Sequence, residues 1–166
     1  MADRTENVLF VCTGNSARSI LAEGLVNQLG GGEFRGFSAG SQPLGQPNPL
    51  AIQTLREHGC DVTDLRSKSW DEFAGPDAPH MDYIFTVCDN AAGEACPLWP
   101  GGPVSAHWGI PDPAAVVGSE AERRAAFELA YLQMHARISR FLALPLQTLG
   151  REALAEQLAD IGRSTN

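Results

Sequence analysis

A chain of 166 residues with 43% hydrophobic and 19% charged side chains fits one globular domain with room for a real core. Its net charge of −8 excludes nonspecific nucleic-acid binding, which needs clustered Lys and Arg, but a local cradle of donors can still hold an anion. The first residues are polar with no apolar signal core, and no apolar run approaches membrane length, so the expectation is a cytoplasmic protein without a membrane partner. In that compartment four cysteines are reactive or buried rather than a disulfide framework.

Residues 7–12 read as a buried parallel strand that runs into Cys12-Thr13-Gly14-Asn15-Ser16-Ala17-Arg18-Ser19. A strand ending in a Gly-containing loop that opens a helix is an oxyanion-binding layout. Successive backbone N–H groups and the helix N-terminus favour negative charge at one spot. Arg18, separated from Cys12 by five residues, adds a planar fork of donors that matches a tetrahedral oxyanion. The same positive field favours a nucleophilic Cys12 thiolate at the cradle floor. Ser19 either donates to that thiolate or caps the first helical turn.

Leu21, Ala22, Leu25, Val26 and Leu29 repeat at helical spacing until Gly30-Gly31-Gly32 ends the helix. Phe34 to Ala39 reads as a second strand and Ser41 to Pro49 as a loop. Asn48 is the predicted cap of a helix with Pro49 at its first position, Ile52 and Leu55 inward, and Gly59 as its stop. Cys60 reads as a small core hydrophobe. Residues 81–88 form the next predicted strand, 89–103 a Pro- and Gly-rich loop, and Val104 to Trp108 a short strand. A long helix begins at Ser119, with Phe127, Tyr131, Met134, Ile138 and Phe141 on one stripe, and stops at Pro145. A final amphipathic helix covers about Arg151 to Ile161. Strands alternating with helices predict an α/β fold: a single-domain, three-layer α/β/α arrangement on a four-stranded parallel sheet.

Cys88 ends its predicted strand on the same carboxyl edge as Cys12, where such sheets place their sites, and Cys96 follows in the loop. Two thiols joined by a loop suit disulfide relay, which needs close approach of the two Cα atoms. Asp112, between Pro111 and Pro113, is either a general acid for a leaving oxygen or a turn-forming residue. The histidines at 58, 80, 107 and 135 lack i, i+4 pairing, and Cys88 and Cys96 are too far apart for a zinc knuckle, so no metal or cofactor is expected. Trp70, Trp99 and Trp108 are not interleaved with basic residues and read as packing residues.

The loop from Cys12 to Ser19 resembles that of the low-molecular-weight protein tyrosine phosphatases and of the bacterial arsenate reductases built on the same fold. The likeness continues through Phe37-Ser38-Ala39-Gly40, Val87-Cys88-Asp89, Ala95-Cys96-Pro97 and His107-Trp108-Gly109-Ile110-Pro111-Asp112-Pro113-Ala114. It implies a phosphatase-like reductase domain over residues 1–145, with 146–166 a helical extension of that domain. Ala114-Ala115 stand where the phosphatases usually carry tyrosines. Cys88, Cys96 and His107-Trp108-Gly109 are similar to the reductases.

The implied activity is reduction of arsenate to arsenite by a thiol relay, with phosphate and sulfate as competing oxyanions. Cys12 is the implied nucleophile, Thr13 to Arg18 the oxyanion loop, Asp112 the proton donor, and Cys88 and Cys96 the relay. Thioredoxin, or glutathione with glutaredoxin, is the implied reductant. Seven residues separate Cys88 from Cys96, one more than in the best-matching thioredoxin-coupled reductases, and this leaves the reductant open. Ala17 replaces a cysteine common in both families. The alternative is a phosphatase that hydrolyses phosphomonoesters through a Cys12 thiophosphate. A non-catalytic sensor working through Cys12 and Cys88 is a further reading, for which Asp112 and a third thiol are superfluous. Some members build a potassium site from the equivalents of Asn15, Glu23 and Ser38. Here Arg66-Ser67-Lys68-Ser69 stands where those members have an acidic ligand, and the Lys68 ammonium is expected to replace the cation.

Overall fold

The computed structural model describes residues 5–87, 103–146 and 148–163. Four strands form one sheet in the order β2-β1-β3-β4: β1 (Glu6–Cys12), β2 (Phe34–Gly40), β3 (Tyr83–Thr86) and β4 (Val104–His107). Every pairing is parallel, as expected from the alternation of strands and helices. The four described α-helices are α1 (Arg18–Leu29), α2 (Pro49–Glu57), α3 (Glu120–Leu142) and α4 (Arg151–Arg163).

Side chains of a strand alternate between sheet faces, which sorts the core. Phe10 of β1 and Phe85 of β3 share one face, with ring centroids 5.6 Å apart, and Trp108 stacks on Phe85 at 3.8 Å. Phe141 of α3 meets these rings edge-on, so α3 covers this face together with α1. α2 leans on both helices, pinned to α3 by Arg124 to Glu57 at 2.7 Å and His58 to Glu128 at 2.9 Å. On the opposite face Phe37 meets Phe73 of a short 3-10 helix (Trp70–Phe73).

Local chemistry explains the boundaries. Asn48 Oδ1 accepts from Leu50 N–H, Pro49 follows at the first helical position, and Gly59 past the end has φ +81°, the left-handed exit that glycine allows. Ser119 and Glu122 form a reciprocal capping box that starts α3, and the serine donors hold the Glu122 carboxyl below its usual range. All five predicted stripe residues of α3 are buried.

Leu29, the last of the helical repeat in α1, is 37% exposed, and Ile52 is half-buried and packs against the core. Strand β3 is also shorter than its apolar run: Met81 and Val87 are buried but lie outside the ladder, and Cys88 and the loop 88–102 lie outside the described residues. After Pro145 the chain returns to the sheet. Leu154, Leu158 and Ile161 of α4 are buried, and Trp108 Nε1 donates to Leu158 O at 2.9 Å.

Candidate active site

Register places the chemistry. Cys12 pairs with Gly40 and Val11 with Thr86, and Thr86 lies opposite His107, so these strand ends share the carboxyl edge. The order β2-β1-β3 makes the end of β1 the point where connections leave to opposite sides, a crevice such sheets use for ligands. Because Val8 to Phe10 have no exposed surface, β1 is rigid up to its last residue, which fixes the Cys12 sulfur.

The loop after Cys12 is aimed by its carbonyls. Those of Cys12, Thr13, Gly14 and Ser16 accept from Ser41, Gln42, Leu44 and Asn48 N–H, at 3.3, 2.9, 3.0 and 2.8 Å. In a trans peptide the following N–H points the opposite way, so the amides of Thr13, Gly14, Asn15 and Ala17 face away from the 41–48 segment. Asn15 N–H meets the Cys12 sulfur at 3.2 Å. Gly40 allows this packing: a Cβ there would stand 2.4 Å from Thr13 O. Helix α1 then starts at Ala17, which has no side-chain cap to offer, and its first turn carries no acidic residue. The N–H groups of that turn stay available to an anion.

Asn15 is the keystone of the loop. It is fully buried, and among the described residues it alone, apart from glycines, has a positive φ, 47°. Asparagine tolerates that region better than most side chains. Its Nδ2 donates to Ser19 Oγ at 2.8 Å and its Oδ1 accepts from Lys68 N–H at 2.8 Å. Ser19 Oγ, which accepts from Asn15 Nδ2, lies 3.0 Å from Cys12 Sγ. Ser19 therefore serves Cys12 rather than capping α1. Asn15 N–H and Ser19 Oγ both reach the Cys12 sulfur.

Arg18 crosses to the loop after β4. Its Nη1 donates to Ile110 O at 3.1 Å and its Nη2 lies 3.6 Å from Asp112 Oδ2. Asp112 forms the turn that the sequence offered as one of its two roles. Its Oδ1 caps a short 3-10 helix (Pro113–Ala115) through Ala114 N–H at 3.0 Å, and its Oδ2 faces the arginine. The pair is part-exposed, so its contribution is orientation more than stability.

Of the predicted residues, Cys12, Asn15 and Ser19 are thus joined by direct contacts and Arg18 is paired with Asp112, while Thr13, Gly14, Ser16 and Ala17 make up the rest of the loop. Cys88 and Cys96 lie outside the described residues. Three supports act through contacts that the sequence did not reveal. Lys68 acts on Asn15 through its main chain, and Gly40 makes room for Thr13. The third, buried Arg137, donates to Trp108 O at 3.1 Å and Gly109 O at 2.9 Å, holding the strand exit that leads to Asp112.

The oxygens of a potassium site do not fit a free cation here. The Lys68 ammonium lies 3.5 Å from Ser38 Oγ and 3.7 Å from Glu23 Oε1, within the space a cation would need. Among the described residues no group of three or more His, Cys, Asp or Glu is arranged to hold a metal. No described helix is long and apolar enough to cross a membrane.

The fourth cysteine gives an internal control. Cys60 is buried, its thiol donates to Gln28 Oε1, and burial pushes its pKa up. Iodoacetamide at slightly acidic pH is expected to label Cys12 ahead of Cys60, with added phosphate protecting Cys12 alone. Peptide mapping by mass spectrometry reads the order, and equal rates would mean that the two donors do nothing for the Cys12 thiolate.

A buried thiol that meets a backbone N–H and a serine hydroxyl, on a loop that ends in an arginine paired with a carboxylate, is an arrangement of cysteine-phosphatase type. Residues 7–156 match the low molecular weight phosphotyrosine protein phosphatase family, and the chain belongs to that family. Within it, an arsenate reductase of Bacillus licheniformis is 38% identical over 137 residues, 82% of this chain and 94% of its own length. An arsenate reductase of Bacillus subtilis is 36% identical over 134 residues, covering 81% and 93%. Among solved structures, an arsenate reductase in its phosphate-binding state superposes with a TM-score of 0.68 at 26% identity, covering 84% of this chain and 98% of its own.

Proposed function

We propose that this protein is an arsenate reductase working by a three-thiol relay. The observation that carries the reading is the Cys12 sulfur held between Asn15 N–H at 3.2 Å and Ser19 Oγ at 3.0 Å, in a chain whose relatives are named arsenate reductase. Arsenate sits on the loop amides and Arg18. The Cys12 thiolate displaces one arsenate oxygen, which leaves as water after protonation by Asp112, and a sulfur–arsenic(V) bond forms.

The Cys88 thiolate then attacks the Cys12 sulfur. The sulfur–arsenic bond breaks with its electron pair moving onto arsenic, so arsenic(V) becomes arsenite while two thiols become the Cys12–Cys88 disulfide. Cys96 attacks Cys88, which shifts the disulfide to Cys88–Cys96 and frees Cys12. An external dithiol, thioredoxin or glutaredoxin with glutathione, resets the pair. Such a cycle belongs in the reducing cytoplasm.

The test is arsenate-dependent NADPH oxidation with thioredoxin and its reductase, run beside hydrolysis of a chromogenic aryl phosphate. Turnover with arsenate is expected. Turnover with glutathione and glutaredoxin alone would keep the chemistry and change the partner. Hydrolysis of the ester with no arsenate turnover would make the protein a phosphatase.

A further inference from the structure

Behind the oxyanion loop lies a buried charge cluster that the relay does not use. Lys68 and Glu23 are nearly enclosed, with 5% and 11% of their side chains exposed. The Lys68 ammonium donates to Arg66 O at 2.7 Å and to Ser38 Oγ at 3.5 Å, and faces Glu23 Oε1 at 3.7 Å. Ser38 in turn donates to the same carboxylate oxygen. Three oxygens from three segments, α1, β2 and the 66–68 stretch, therefore surround one monovalent positive charge. Burial raises the Glu23 pKa and lowers that of Lys68, so each charge depends on the other to remain ionised.

The same residue is bonded to the nucleophile's own support. Lys68 N–H donates to Asn15 Oδ1 at 2.8 Å, and Lys68 O accepts from Gly40 N–H at 2.9 Å. Asn15 passes this on twice, through Nδ2 to Ser19 Oγ and through its own N–H to the Cys12 sulfur. A left-handed asparagine costs energy unless its surroundings fix it, and the Lys68 main chain is what fixes its side-chain oxygen.

We propose that Lys68 is a positioning residue. Its tethered ammonium stands in for a monovalent cation between Glu23, Ser38 and the Arg66 carbonyl, and so holds the backbone that keeps Asn15 and Ser19 aimed at Cys12. Cys12 reactivity in this chain is then independent of potassium, unlike a site that must recruit its cation from solution. The inference rests on Cys12 being the reacting thiol and not on which oxyanion it takes.

The test reads the thiol rather than turnover. Alkylation of Cys12 by iodoacetamide is followed against pH in potassium, sodium and tetramethylammonium chloride, with the Cys12 peptide quantified by mass spectrometry. The unaltered protein is expected to give one profile in all three salts. Lys68→Ser leaves the Glu23 carboxylate facing a vacated space. In tetramethylammonium it is expected to alkylate about five- to tenfold more slowly at neutral pH, its profile moved to higher pH, with saturable rescue by potassium. Lys68→Met keeps the apolar stem and fills the space, so its slowing is expected to persist in every salt, and it decides the matter if the serine variant does not fold. Unchanged Cys12 alkylation in Lys68→Met, slowing in Lys68→Ser without potassium rescue, or a potassium dependence of the unaltered protein would each overturn the proposal. Failure of arsenate turnover would leave it standing.

Discussion

Replacing Cys12 by serine is expected to remove arsenate reduction and aryl phosphate hydrolysis together, by about ten-thousand-fold or more, because both begin with the same sulfur. A hydroxyl in that place meets the same two donors, Asn15 N–H and Ser19 Oγ, but does not ionise near neutral pH. Oxyanion binding should survive, since the loop amides and Arg18 are untouched, and isothermal titration with phosphate measures it. Cys88→Ser makes the complementary cut. It should abolish reduction with arsenate left bonded to Cys12 sulfur, while ester hydrolysis, which needs water rather than a second thiol, persists. Retained arsenate turnover in Cys88→Ser would end the relay reading, and retained hydrolysis in Cys12→Ser would end the assignment of the nucleophile.

How far the sequence reached depended on whether a feature acts through side-chain type or through the path of the main chain. The pattern from Asn7 to Ser19 was readable because each part has a type requirement: apolar residues for a buried strand, Gly14 in the loop, Arg18 for its donors. The stripe from Phe127 to Phe141 was readable for the same reason, and so was Asn48-Pro49 at the start of α2. Leu29 misled because helical spacing gives a direction but not a degree of burial. Asn15 was placed in the oxyanion loop, but nothing local to it says that its amide bridges Lys68 and Ser19, 53 residues away in one case and four in the other. Lys68 N–H, the carbonyls of residues 12, 13, 14 and 16 and the two that accept from Arg137 are main-chain groups, and only the fold chooses their partners.

Trp108→Ala should be the most destabilising single change outside the loop, and its effect should reach the chemistry. The indole is fully buried, stacks on Phe85 at 3.8 Å and donates to Leu158 O at 2.9 Å. Its loss opens a cavity between β3 and α4 and strands a carbonyl, costing about 3–5 kcal/mol, a large share of the roughly 5–15 kcal/mol that holds a domain together. For a chain of this size that corresponds to a Tm lower by roughly 10 °C or more in calorimetry. The same region is close-packed from the other side: a Cβ at Gly162 would lie 2.8 Å from the Trp108 ring and closer still to His107 O. Because Arg137 grips the Trp108 and Gly109 carbonyls and Arg18 the Ile110 carbonyl, a slackened Trp108 loosens the segment that carries Asp112. The folded variant, assayed well below its Tm, should therefore lose kcat more than oxyanion affinity. A variant that lost stability alone, with kcat intact, would show that Asp112 is held by its own turn and by Arg18 without help from the core.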